Sequence, residues 1–118
     1  MNLTTEQHED VAVVRVQEAR MLYPILSDFA STVTGLVQQG QRKVLIDLTP
    51  VTYLDSATIG CLMDLYRQMS AAGGSFKLSG VQRRVETMLT MTGAQNFIDV
   101  HHDEAVAIQS FGGSHAHD

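Results

Sequence analysis

The sequence predicts an α/β fold: a mixed β-sheet with an N-terminal hairpin, about five strands and four helices in the order β-β-α-β-α-β-α-β-α. Three observations predict it. Short apolar or β-branched runs alternate with segments whose apolar residues recur at helical spacing, which implies parallel strands joined by right-handed crossovers. The run Val44-Leu45-Ile46-Asp47-Leu48 is apolar on both faces, as a central strand covered by helices should be. The stretches Leu3 to His8 and Val11 to Val16, divided by Glu9-Asp10, read as an antiparallel hairpin, which makes the sheet mixed.

Pro24 sits where a first helical residue tolerates proline, and Ile25, Leu26, Phe29, Val33, Leu36 and Val37 form one face of a first helix that ends at Gly40. Arg42-Lys43 leads into the Val44 run, which Thr49-Pro50 ends. Ile59, Leu62, Met63, Tyr66 and Met69 mark a second helix, stopped by Gly73-Gly74. Phe76 to Ser79 alternates as a strand, and after Gly80 the residues Val81, Val85, Met88 and Leu89 mark a third helix. Phe97 to Val100 then reads as a short strand and Asp103 to Gln109 as a last short helix. Cys61 and the methionines on or beside these faces are expected to fill the core.

A chain of 118 residues fits one domain, taken as residues 1–111, with 112–118 expected as a flexible C-terminal tail. With 44% hydrophobic and 18% charged residues it is globular in composition, and a chain of this size buries roughly two-thirds of its unfolded surface. Eight basic against 13 acidic residues leave a net charge of −5. The basic residues never cluster beyond adjacent pairs, so nothing neutralises a row of phosphates and no nucleic acid is expected as a partner. No apolar run approaches the ~20 residues of a membrane span. The polar, acidic opening from Met1 to Asp10 lacks the secretory pattern, and a cytoplasmic location is expected. The single Cys61 allows no internal disulfide or thiolate cluster, and His101-His102, His115 and His117 lack carboxylate or thiolate partners at ligand spacing, so no metal is expected. No P-loop or G-x-G-x-x-G occurs, and no cofactor is expected.

The informative segment is Val51-Thr52-Tyr53-Leu54-Asp55-Ser56-Ala57-Thr58-Ile59-Gly60, which leaves a buried strand and enters a helix. Asp55, Ser56 and Thr58 fall in the opening turn, where either Asp55 or Ser56 serves as N-cap. Free N–H donors and a partial positive charge at a helix start also favour a phosphate. Asp47 serves either to position the Ser56 turn or to cap the turn that follows its own strand. No G-x-S-x-G elbow surrounds Ser56 and none of the five histidines lies beside it in sequence, so a serine-nucleophile enzyme is not expected.

Ile46-Asp47-Leu48 followed by Val51, then Leu54-Asp55-Ser56-Ala57 and Ile59-Gly60, with Gly73-Gly74 after the helix, resembles the signature of the STAS domain, the fold of bacterial anti-sigma factor antagonists. The order of elements is similar to that fold over about residues 3 to 110. The resemblance implies a partner-switching role. An anti-sigma factor that is also a serine kinase phosphorylates the position matching Ser56; only the unmodified antagonist sequesters that factor, and a phosphatase resets the cycle. Partner contact is then expected at Asp55, Ser56, Ala57, Thr58 and Ile59, together with Leu22 and Tyr23 in the loop before the first helix. Two positions depart from the family pattern: Thr58 stands where glycine is usual, stiffening the turn and offering a second acceptor, and Leu22 stands about where an aspartate is common. Leu22, Tyr23 and Met21 form either an apolar contact patch or core beneath the loop. The alternative function is a non-catalytic scaffold or accessory subunit of a sensory complex or transporter, without a phosphorylation switch.

Overall fold

The computed structural model describes residues 2–112. The expectations for the tail, His115 and His117 included, lie outside the described residues except for Gly112, which closes the last helix.

The opening hairpin pairs β1 (Leu3–His8) with β2 (Val11–Val16), antiparallel and in full register from Leu3↔Val16 to His8↔Val11. Glu9, at φ 57°, takes the left-handed turn conformation that lets so short a connection close. From β2 the chain passes through α1 (Leu26–Gln38) to β4 (Lys43–Asp47), through α2 (Ser56–Ala71) to β6 (Ser75–Ser79), and through α3 (Arg83–Thr92) to β7 (Asp99–Val100). Each arrival is parallel to the strand before it, giving the order β1-β2-β4-β6-β7. The sheet is thus built outward in one direction, and right-handed crossovers place all three helices on one face. The helix α4 (Glu104–Gly112) covers the other.

Strand alternation sorts the core accordingly. Ala12, Val14, Val16, Val44 and Ile46 join Phe29, Val33, Leu62, Met69, Val85 and Leu89 in the main core under α1 to α3. Val11, Val13 and Leu45 point the opposite way, against Ala107 and Phe111 of α4. This is why β2 and β4 are apolar at successive positions.

Local structure departs from expectation in four places. Pro24 lies in a 3-10 turn, Tyr23–Ile25, and α1 starts at Leu26, because the Ile25 amide bonds back three residues to the Leu22 carbonyl. The strand expected from Phe97 shrinks to Asp99–Val100, since the Phe97 and Ile98 amides both donate to the Ala94 carbonyl and are unavailable to a ladder. The last helix runs to Gly112 because Phe111 is its buried plug. A second, two-stranded parallel sheet pairs β3 (Arg20–Met21) with β5 (Tyr53–Leu54). Two-residue strands carry no readable periodicity.

One feature missed by sequence reasoning is the clamp between sheet and α4. Arg15 on β2 donates to Asp47 Oδ2 at 2.8 Å, to Glu104 Oε2 at 3.0 Å and to Glu6 Oε2 at 2.9 Å. These carboxylates raise the guanidinium pKa, Glu104 most, and the Arg15 and His8 hydrogen bonds lower that of Glu6 to about 2. Asp47 Oδ1 meanwhile accepts from the Thr49 amide at 3.0 Å and from the Thr49 hydroxyl. Asp47 therefore caps its own turn and makes no bond to the Ser56 turn. Gly80 closes over it at φ +67°; a Cβ there would stand 2.9 Å from Asp47 Oδ1 and closer still to Thr49 Oγ1, which excludes other residues.

Candidate functional site

The buried Leu48 and Val51 carry the chain from β4 into the short strand β5, where the β3 ladder stops it at Leu54. Thr52 adds two bonds to the Ala19 carbonyl, 2.7 Å from its amide and 3.0 Å from its hydroxyl. The segment holding the candidate site is thus fastened to the segment before α1, on both sides of Met21.

Asp55 is the N-cap of α2. Its backbone is extended (φ −89°, ψ 173°) and its Oδ1 accepts from the Thr58 amide at 2.8 Å, a cap worth about 1 kcal/mol. Its Oδ2 accepts from the Tyr23 amide, also at 2.8 Å. The Thr58 hydroxyl, with the Thr58 and Tyr23 amides, holds the Asp55 carboxyl below the ordinary aspartate range. The α2 terminus and the loop before α1 therefore share one carboxylate.

Thr58 is fully buried, and its hydroxyl lies 2.7 Å from the Met21 carbonyl and 2.6 Å from Asp55 Oδ1. It braces the turn from inside and is closed to a modifying enzyme, which removes the expected second acceptor. Because the side chain points inward, the β-branch also leaves the outer face of the turn open.

Ser56, the first residue of α2, is exposed, and its hydroxyl makes no hydrogen bond among the described residues. Ala57 beside it is exposed as well. Of the other expected contact residues, Tyr23 is 72% exposed and Leu22 and Asp55 are half-buried. Ile59 and Met21 join Thr58 in the core, where their side chains are turned away from any partner. The apolar patch therefore contracts to Leu22 and Tyr23.

From Tyr23 a groove of about 440 Å³ runs between α1 and α2, past Leu26, Ala30, Ala57, Gly60, Cys61 and Asp64. Cys61 is half-buried in its wall, and burial together with Asp64 pushes its thiol pKa up, which leaves little reactive thiolate at neutral pH. No group of three or more potential ligands could hold a metal among the described residues, and no described helix is long and apolar enough to cross a membrane.

The site thus offers a solvent-facing hydroxyl at a helix start whose first turn contains no acidic residue, beside a tethered aromatic.

A family model for the STAS domain matches residues 2–107. The chain belongs to the STAS domain family. Among relatives of this STAS domain, the anti-sigma-B factor antagonist of Bacillus subtilis is 26% identical over 102 residues, covering 85% of this chain and 90% of the relative. The crystal structure of an anti-sigma factor antagonist from Mycobacterium paratuberculosis superposes with a TM-score of 0.84 at 18% identity, covering 93% of this chain and 92% of that one. The Bacillus cell fate determinant SpoIIAA in its phosphorylated form superposes with a TM-score of 0.71 at 14% identity, covering 92% and 98%. At such identities the two structures establish a shared fold.

Proposed function

We propose that this STAS domain is an anti-sigma factor antagonist whose docking to an anti-sigma serine kinase is abolished when that kinase phosphorylates Ser56, and restored by a phosphatase. The observation that carries the reading is the exposed hydroxyl of Ser56, one residue beyond a capping aspartate and without a hydrogen bond among the described residues. Relatives named as anti-sigma factor antagonists support it, as does the phosphorylated form of one neighbour of the same fold. A phosphoserine adds about −1.5 to −2 charges at pH 7. Beside the Asp55 carboxylate, on a surface otherwise made of Ala57, Leu22 and Tyr23, that charge opposes desolvation by a fitted partner while the helix start tolerates it. The domain stays folded and the complex is lost.

The test uses each purified anti-sigma serine kinase of the same organism with ATP. Phosphate at Ser56, binding by Ser56→Ala and loss of binding by Ser56→Asp are expected. Modification confined to other residues, or equal affinity of Ser56→Asp and wild type, would overturn the reading. Recovery of a sensory-complex or transporter subunit in place of a kinase would favour the scaffold function.

A further inference from the structure

Tyr23 and Ser56 belong to different crossovers of the fold, yet Tyr23 and Ala57, the residue after Ser56, line the same groove. Beyond Met21, where the β3–β5 ladder ends, the chain leaves the small sheet, and the next hydrogen bond fastening this loop to α2 is the one from the Tyr23 amide to Asp55 Oδ2. Asp55 Oδ1 is committed to Thr58. Both oxygens thus accept from donors of the protein itself, Oδ1 from Thr58 and Oδ2 from the Tyr23 amide, so the carboxylate joins the two segments that carry Tyr23 and Ser56.

We infer that Asp55 is a positioning residue, whose carboxylate locks the Tyr23 loop to the Ser56 turn so that the partner meets a single preorganised surface. This rests on the antagonist reading above for the identity of the partner, but the lock itself is a property of the free domain. A carboxylate suits the task because it presents two acceptor oxygens to two amide donors 35 residues apart in the chain, Tyr23 and Thr58. A side-chain amide presents one. Asparagine is nonetheless a good N-cap, so Asp55→Asn keeps the helix start and releases the loop, separating positioning from folding.

The first measurement is amide hydrogen exchange by NMR on the free protein. In Asp55→Asn the Tyr23 amide is expected to exchange much faster than in wild type while the Thr58 amide keeps its protection; an unchanged Tyr23 amide would overturn the lock. The second is a double-mutant cycle on affinity for the kinase that binds wild type. Tyr23→Ala is expected to weaken binding about tenfold or more in wild type, as an aromatic anchor does, but less than about threefold in Asp55→Asn, where the anchor is already loose. Additive effects would show that Asp55 does not act through Tyr23. Absence of any binding kinase would sink the antagonist reading, whereas the exchange experiment would still decide the lock.

Discussion

Arg15 and Asp47 occupy matching positions on the parallel strands β2 and β4, and their side chains meet at 2.8 Å on the sheet face that α4 covers. Arg15 also holds Glu104 at the start of α4 and Glu6 on the edge strand, so one cation ties together four elements. The Arg15 side chain is only 21% exposed and that of Asp47 11%. Its loss would leave three carboxylates facing one another. Arg15→Ala is expected to destabilise the domain by about 1–3 kcal/mol, below the cost of breaking a fully buried pair because water reaches part of the cluster. Urea unfolding measures this, and adding Glu104→Gln to Arg15→Ala should recover part of the loss.

The same cluster sets an acid limit. The Glu6 carboxyl is lowered from 4.5 to about 2 by hydrogen bonds from Arg15 and His8. A carboxylate with a depressed folded-state pKa contributes stability that is complete above its unfolded value and disappears as pH falls through the folded one. Asp55, also lowered, acts in the same direction. The melting temperature is therefore expected to hold from neutrality to about pH 4.5 and then to fall steadily toward pH 2. Glu6→Gln should be less stable at neutral pH and should flatten that fall.

The buried hydroxyl of Thr58 makes a different prediction. Thr58→Val preserves shape but removes the donor to the Met21 carbonyl, which should cost about 1–2 kcal/mol in denaturant unfolding. Thr58→Gly should cost more, since it removes the whole buried side chain and adds about 0.3 kcal/mol of helix-propensity loss relative to threonine. Kinase treatment of Ser56→Ala should yield no phosphothreonine at Thr58, because the residue is fully buried.

Gly60 offers a stabilising change. It lies within α2, is exposed, and a Cβ added there would meet nothing within 4 Å. Gly60→Ala should therefore gain up to about 1 kcal/mol from helix propensity alone. Thermal unfolding checks the gain. No gain would mean that the groove wall at this position is strained in a way the backbone does not show.

Sequence by itself determined the order of the main strands and helices, the hairpin, the two-faced character of β4 and the place of Ser56 at a helix start. Each is written in short-range features: periodicities of two or about 3.6 residues, and breakers such as Gly73-Gly74. Tertiary structure alone decided which side chains meet. The Arg15–Glu104 pair spans 89 residues and the Tyr23–Asp55 bond 32. Asp55 was legible as a cap, but not as the tie to Tyr23. Thr58 read as a surface hydroxyl because burial depends on where Met21 comes to rest, and that is set by the two-residue β3–β5 ladder. Side-chain partners drawn from distant strands leave no periodic trace, since a single hydrogen bond constrains two positions and nothing between them.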